Sequence, residues 1–371
     1  MRIYLDNAAT TKPTTSGAFQ KHIDSYWQNP SAAYASAEAV YIAMKQTRQL
    51  LADMIMPGSG VIFTSGGTEA NNTAILSSFK KGAHFITSAV EHPSVYETFK
   101  HIEGQGAKVD YVLPRGHCVI AEDVAALVRE DTAMVSVMHV NNETGAINEI
   151  GAIADAVKSK NPKTRVHSDG VQALFKTLID LPESVDYYTV SAHKIGAFKG
   201  VGALLAGRNK TINKLHFGGE QEHSLRPGTE NTLGIQSFDE ALRSGQENFD
   251  AELQTITALS TRLTDGLERI HGAVRNVPAV SVPHIVNVSF EGVRAEVLVR
   301  ALGEKGIYIG TGAACSKGKI SRVLLESGVA RGLAEGAVRI SMNALNTNEE
   351  IDICLTQIEK TVRDLRRFGR H

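Results

Sequence analysis

Cysteine is scarce: Cys118, Cys315 and Cys354 are the whole complement of a 371-residue chain, and no two of them form a CxxC pair. An odd number of widely spaced thiols signals neither a disulfide framework nor a zinc site, and it leaves room for one reactive thiol. Long apolar runs are also missing, so no bilayer-spanning helix is predicted. The start, Met1-Arg-Ile-Tyr-Leu-Asp6, has no apolar h-region and no small-residue cleavage site, and predicts no secretory leader. Net charge is close to absent. Lys plus Arg number 39 against 40 Asp plus Glu, a balance of -1, which argues against a chain that as a whole binds nucleic acid or a membrane surface. There is no internal repeat and no low-complexity linker. A cytoplasmic enzyme is the expectation.

What is present is an ordinary globular composition on a chain too long for one core. Short apolar runs alternate with helical periodicity. Strands are predicted at 61–64, 85–88, 108–113, 133–139, 165–169, 186–190 and 201–206, with helices at 15–26, 35–54, from 68, 121–128 and 150–158. Such alternation predicts an α/β fold with a mostly parallel, doubly wound sheet. A long helix over 235–270 follows, and the pattern then changes to strands at 284–290, 307–309 and 338–341 with helices at 295–305 and 348–367. A large domain over 15–255 and a smaller α+β domain over 256–371 are expected, with residues 1–14 packing on the smaller one.

The chemistry concentrates at Ser191-Ala-His-Lys-Ile-Gly-Ala-Phe-Lys-Gly200. A lone lysine in a glycine-rich loop is usually a surface residue. Here small residues around Lys194 let a flat group lie against the backbone, and Ser191 and His193 offer a hydroxyl and an imidazole for a phosphate. A desolvated lysine of this kind holds an aldehyde cofactor as a Schiff base, so Lys194 is read as a pyridoxal phosphate lysine. Ser65-Gly-Gly-Thr-Glu-Ala-Asn-Asn72 carries a strand into a helix start, an anion site, but it is neither a Walker motif nor a GxGxxG fingerprint. His92 follows a strand at the end where open α/β sheets bind ligands. Asp169 ends another strand, with Gln172 three residues on.

These stretches, together with Tyr4-Leu-Asp-Asn-Ala-Ala-Thr10, Glu91-His-Pro93, His139-Val-Asn-Asn-Glu-Thr-Gly145, Asp169-Gly-Val-Gln172 and Leu225-Arg-Pro-Gly-Thr-Glu-Asn231, resemble the cysteine desulfurases of the NifS/IscS type. Those are pyridoxal phosphate enzymes of the class V aminotransferase group, fold type I. The resemblance runs in order from residue 3 to the 340s. It implies a homodimer that converts L-cysteine to L-alanine and passes the sulfur, as a persulfide, to a protein acceptor. An iron–sulfur scaffold and a tRNA-thiolating enzyme are both possible acceptors. By position, Lys194 resembles the Schiff-base lysine and Asp169 the carboxylate on the pyridine nitrogen. His92 resembles the imidazole stacked on the ring, which also relays protons as a third catalytic residue beside Lys194 and Cys315, and Gln172 resembles the partner of the ring's phenolic oxygen. Gly67, Thr68, Ser191 and His193 resemble the phosphate cup, with Thr229 lent by the other subunit. Asn142 and Arg339 resemble the holders of the substrate carboxylate.

Cys315, after Gly310-Thr-Gly-Ala-Ala314, falls where the family's longer-loop subgroup keeps its nucleophile. Lys317 and Lys319 beside it would lower the thiol pKa, whereas Cys118 and Cys354 read as packing residues. Three positions depart from the family pattern: Tyr34 and Arg322 stand where His is frequent, and Glu220 interrupts a glycine run. They bear on loop behaviour and partner choice more than on chemistry. The docking tail of longer members is expected to be absent. A selenocysteine lyase or class V aminotransferase is the alternative, and an adaptor that keeps the fold without catalysis is a third reading.

Overall fold

The computed structural model describes residues 2–13, 19–311 and 320–368. Its larger sheet has seven strands: β2 (Gly60–Thr64), β3 (His84–Ser88), β4 (Lys108–Val112), β5 (Thr132–Ser136), β6 (Arg165–Asp169), β7 (Tyr187–Ser191) and β8 (Gly202–Ala206). Spatially they run β2-β8-β7-β6-β5-β3-β4. Every neighbouring pair is parallel except those of β8, which lies antiparallel between β2 and β7. Parallel pairing needs long crossovers, and helices supply them: α3 (Gly67–Leu76), α4 (Pro93–Gly104), α5 (Ala121–Leu127) and α6 (Ile150–Lys160). Helices on both faces bury the strands twice over, so β3, β7 and β8 are buried at every position. That is why they read as runs of apolar and small residues rather than as alternation.

The winding reverses between β3 and β5, because β4 lies on one side of β3 while β5, β6 and β7 step away on the other. Such a reversal opens a crevice at the carboxyl ends of the strands. Five segments arrive there: Ser65–Thr68 after β2, Glu91–His92 after β3, His139–Gly145 after β5, Asp169 closing β6, and Lys194 just past β7.

The second sheet has five strands in the order β1-β11-β12-β10-β9: β1 (Ile3–Leu5), β9 (Ala273–Arg275), β10 (Ile285–Phe290), β11 (Ile307–Thr311) and β12 (Ala337–Ser341). β1 pairs parallel with β11, so the chain start belongs to this sheet. The helices α8 (Ala295–Glu304) and α11 (Asn348–Phe368) cover it, and α9 (Arg322–Glu326) and α10 (Arg331–Ala334) stand beside it. One helix, α7 (Thr232–Glu268), serves both cores: Ile235, Phe238 and Leu242 pack with the large sheet, and Leu259, Leu263 and Leu267 with the small one. The remaining helices, α1 (Phe19–Tyr26) and α2 (Ala35–Ile55), pack on α7.

The predicted elements recur within a few residues of their expected bounds. Absent from the expectation were β9, α9, α10 and, nearest the crevice, α4. That helix starts on Pro93, whose missing N–H costs nothing in a first turn. Its buried stripe, Val95, Phe99 and Ile102, is too short to stand out among polar neighbours.

Candidate active site

The end of the crevice beyond β2 is built by close approach. Gly66 has φ of +154°, and a Cβ on Gly202 would come within 2.6 Å of its carbonyl carbon. A Cβ on Gly67 would lie 2.7 Å from Val171 Cγ2 and 3.6 Å from Ser191 Cβ. The first turn of α3 is thus pressed against the end of β7, and its N–H groups face the same space as the Ser191 segment. His193 Nδ1 is 3.1 Å from Thr10 Oγ1, and burial and the nearby Lys194 hold its pKa down to about 4. It is a neutral hydrogen-bonding ring.

Lys194 lies in the half-buried turn beyond. Its Nζ donates to the carbonyls of Ala8 (2.6 Å) and Ala9 (2.8 Å). Gln172 Nε2 donates to the same Ala8 oxygen at 2.8 Å, and Gln172 Oε1 accepts from Lys176 Nζ. Burial, with Lys194 and Arg339 adding to it, pushes the Lys176 ammonium well below its usual range. The Ala8 carbonyl can only accept, so Gln172 presents its NH₂ to it and its oxygen to Lys176. A cavity of about 100 Å³ lies here, with Lys194, Lys176, Asn7 and His284 in its lining.

Asp169 is buried, with Oδ1 accepting from Val171 N (3.0 Å) and Oδ2 from Asn71 Nδ2 (2.7 Å). Tyr188 packs so tightly beneath the next residue that a Cβ on Gly170 would meet its ring at 2.0 Å. The Tyr188 hydroxyl is 2.7 Å from His139 Nδ1. His92 caps α4 through its ring, and burial lowers its pKa.

Arg339, at the centre of β12, is 1% exposed. Its Nη2 donates to Asp6 Oδ1 (2.7 Å) and its Nη1 to the Asn142 carbonyl (2.8 Å). Its Nε and the side-chain oxygen of Asn142 are buried without a partner. Gly310 leaves the room: a Cβ there would approach Asp6 Oδ1 to 2.8 Å and Arg339 Nη2 to 3.1 Å.

Two buried carboxyls flank this region. Glu143 accepts from the Ser321 hydroxyl, and burial raises it to about 7. Glu91 accepts from Ser88 Oγ and from Met138 N (2.9 Å), and burial raises it to about 8. The folded state therefore keeps a proton that the unfolded chain releases near 4.5. This contribution to stability is complete below about pH 4.5 and is lost as pH rises through about 8. Glu91→Gln imitates the protonated form. It is expected to be near neutral close to pH 5 and to stabilise by more than about 1 kcal/mol near pH 9, read by thermal unfolding. The same change in Tm at both pH values would mean that Glu91 is ionised throughout.

The structure brings Lys194, Gln172, Asp169, His92, Asn142 and Arg339 to one crevice, with Gly67, Thr68, Ser191 and His193 at one end of it. Thr68 lines two clefts, one of about 510 Å³ shared with His92 and one of about 820 Å³ shared with Arg226 and the exposed Thr229. Cys315 lies outside the described residues. Cys118 and Cys354 are buried, and burial pushes the Cys354 thiol up to about 12. Arg322 lies closer to the site than its place in the sequence suggests: its Nη2 donates to the Glu91 carbonyl at 2.6 Å, and its guanidinium sits 3.7 Å over the Tyr96 ring. Asp6, Asn71, Ser94 and Lys176 were not legible as site residues. Asp6 and Asn71 lie inside motif-bearing stretches, Ser94 directly follows Glu91-His-Pro93, and Lys176 has no local signal at all. Among the described residues there is no cluster able to hold a metal ion and no helix long and apolar enough to cross a membrane.

The aminotransferase class-V family profile matches residues 3–354, which places the chain in a class of enzymes that use pyridoxal phosphate. Cysteine desulfurase IscS of Clostridium botulinum is 35% identical over 99% of this chain and 96% of its own length. Cysteine desulfurase IscS of Methanosarcina thermophila is 33% identical over 99% and 93%. A solved NifS-like protein superposes with a TM-score of 0.91 at 34% identity, covering 98% of this chain and 100% of its own. The chain belongs to the cysteine desulfurases of the class-V aminotransferase family.

The residues present suit that cofactor. The cradle at Gly67 has no room for a Cβ, which keeps backbone N–H groups accessible to a phosphate. Asp169 is a buried carboxylate of the kind a ring nitrogen needs, and Lys194 an amine of the kind an aldehyde needs. Arg339 Nε remains as an unpartnered buried donor for a second anion.

Proposed function

We propose that this protein desulfurates L-cysteine, releasing L-alanine and leaving the sulfur on Cys315 as a persulfide for transfer to a protein acceptor. The observation that carries the reading is the unpartnered Nε of the buried Arg339, in the crevice that also holds Lys194. A buried guanidinium with a spare donor beside Asn142 suits an amino-acid carboxylate. Gly67, Thr68, Ser191 and His193 hold the cofactor phosphate, joined by Thr229 from a second copy in a homodimer. Asp169, Gln172, Asn142 and His92 hold the ring. Pyridoxal phosphate, when bound, supplies an electron sink for the pair left at the α-carbon. Lys194 Nζ removes the α-proton, and residues 15–255 carry this half of the chemistry.

Cys315 attacks the substrate sulfur as thiolate. The new S–S bond forms as the C–S bond breaks; the C–S electron pair stays with carbon, which takes a proton and becomes the methyl group of alanine. No outside oxidant is needed, since sulfur is oxidised as carbon is reduced. A reducing compartment such as the cytoplasm suits a thiol that must be regenerated.

The test is incubation with ³⁵S-cysteine and candidate acceptors, an iron–sulfur scaffold and a tRNA-thiolating enzyme. Alanine and label on the peptide containing Cys315, removable by dithiothreitol, are expected. A keto acid in place of alanine would make the protein an aminotransferase. Within the same reading, Arg339→Ala should raise the KM for cysteine at least about tenfold, since charge-assisted bonds contribute about 1.5–3 kcal/mol each. Arg339→Lys, which keeps a charge beside Asp6 without the fork, should recover only part of it. An unchanged KM would move the carboxylate site elsewhere.

A further inference from the structure

An unbroken line of hydrogen bonds runs from His92 to Asp169 behind the crevice. Ser94 N donates to His92 Nδ1 at 3.1 Å, and Ser94 Oγ lies 2.8 Å from the same nitrogen. Asn71 Nδ2 donates to Ser94 Oγ at 2.9 Å and to Asp169 Oδ2 at 2.7 Å. Two members of the line cannot reverse their roles. A backbone N–H only donates, so His92 Nδ1 is an acceptor. An ionised carboxylate only accepts, so Asn71 must turn its NH₂ toward Asp169, and its second hydrogen goes to Ser94. The Ser94 oxygen is then an acceptor for Asn71, and its own proton points to Nδ1. A neutral imidazole carries one proton, which is left at Nε2.

We propose that Asn71 and Ser94 are positioning residues that hold His92 as the neutral ring protonated at Nε2, with the Asp169 carboxylate setting the direction of the line. Nε2 can then donate a hydrogen bond into the site. His92 cannot take up a proton without placing it on Nδ1, against the Ser94 N–H that starts α4. Burial, Lys194, Arg339 and Arg322 oppose that second proton, and Asp169 favours it. Proton removal from substrate therefore falls to Lys194. The inference rests on the reading of His92 and Asp169 as cofactor neighbours, but its test does not depend on turnover.

The test is long-range ¹H–¹⁵N NMR of histidine-labelled protein loaded with pyridoxal phosphate, with His92 assigned by the signal lost in His92→Gln. One tautomer, protonated at Nε2, is expected from about pH 6 to 9. Ser94→Ala removes one of two donors to Nδ1 and should raise the titration midpoint of His92 by about half a unit to one unit. Ser94→Thr should restore it. Asn71→Leu should move it in the same direction, and if that variant fails to fold, the two Ser94 variants decide alone. A proton on Nδ1 in the unaltered protein, or a midpoint unmoved in Ser94→Ala, would overturn the proposal. A protein inactive on cysteine that still shows the Nε2–H tautomer would leave this inference standing while removing the proposed function.

Discussion

Cys315→Ser protein is expected to bind pyridoxal phosphate and cysteine normally and to release no alanine above background. In the proposed function Lys194 and its neighbours act on the α-carbon, and nothing in that step requires a thiol. The nucleophile is needed only when the C–S bond breaks. A serine hydroxyl is essentially un-ionised at neutral pH and is a poor nucleophile toward sulfur, whereas a thiol ionises far more readily. The loss should be on the order of a thousandfold or more, as when other enzymes lose their nucleophile. The visible spectrum should still shift when cysteine is added, separating binding from chemistry. Cys118→Ala and Cys354→Ala should keep their turnover number, because both thiols are buried in packing. Alanine formed by Cys315→Ser at the unaltered rate would end the persulfide route at this residue.

Lys194→Ala should abolish turnover while retaining the cofactor. In the proposed function its Nζ is both the covalent anchor and the base, and general-base removal alone costs about 10²–10⁴-fold. The phosphate cradle at Gly67 and the Asp169 carboxylate do not depend on the lysine, so pyridoxal phosphate should still bind, without a covalent link. Borohydride should fix the cofactor on the unaltered protein at Lys194 and fix none on the variant, as read by peptide mass. A small primary amine added to the variant should restore part of the activity, because the missing group is a single amine. Reduction that placed the cofactor on Lys176 instead would exchange the roles of these two lysines. Both face the same small cavity, so the experiment is a real choice between them.

The seven-stranded sheet was legible because strands buried on both faces leave a mark in one dimension: β3, β5, β7 and β8 are short runs of apolar and small residues with turn signals at their ends. Gly67, in the glycine-rich turn after β2, was legible for a related reason, since a Cβ there meets Val171. The order of the motifs marked the family, and with it Lys194, Asp169, His92 and Arg339. The reversed direction of β8 left no mark, because an apolar strand reads the same whichever way it runs. α4 left little, its buried stripe being only three residues long.

What the tertiary structure alone decided is which polar side chains meet. Asp6 and Arg339 are 333 residues apart and 2.7 Å apart in space, across two strands of the small sheet. Asn71 joins Asp169 to Ser94 across α3, β6 and α4. Lys176, an ordinary lysine in the sequence, becomes a buried donor because Gln172 and the first turn of the chain close over it. Hydrophobic periodicity is a local property and survives in the order of residues. The pairing of buried charges and hydrogen-bonding groups depends on distance and on the exclusion of water, and both exist only after the two sheets have packed together.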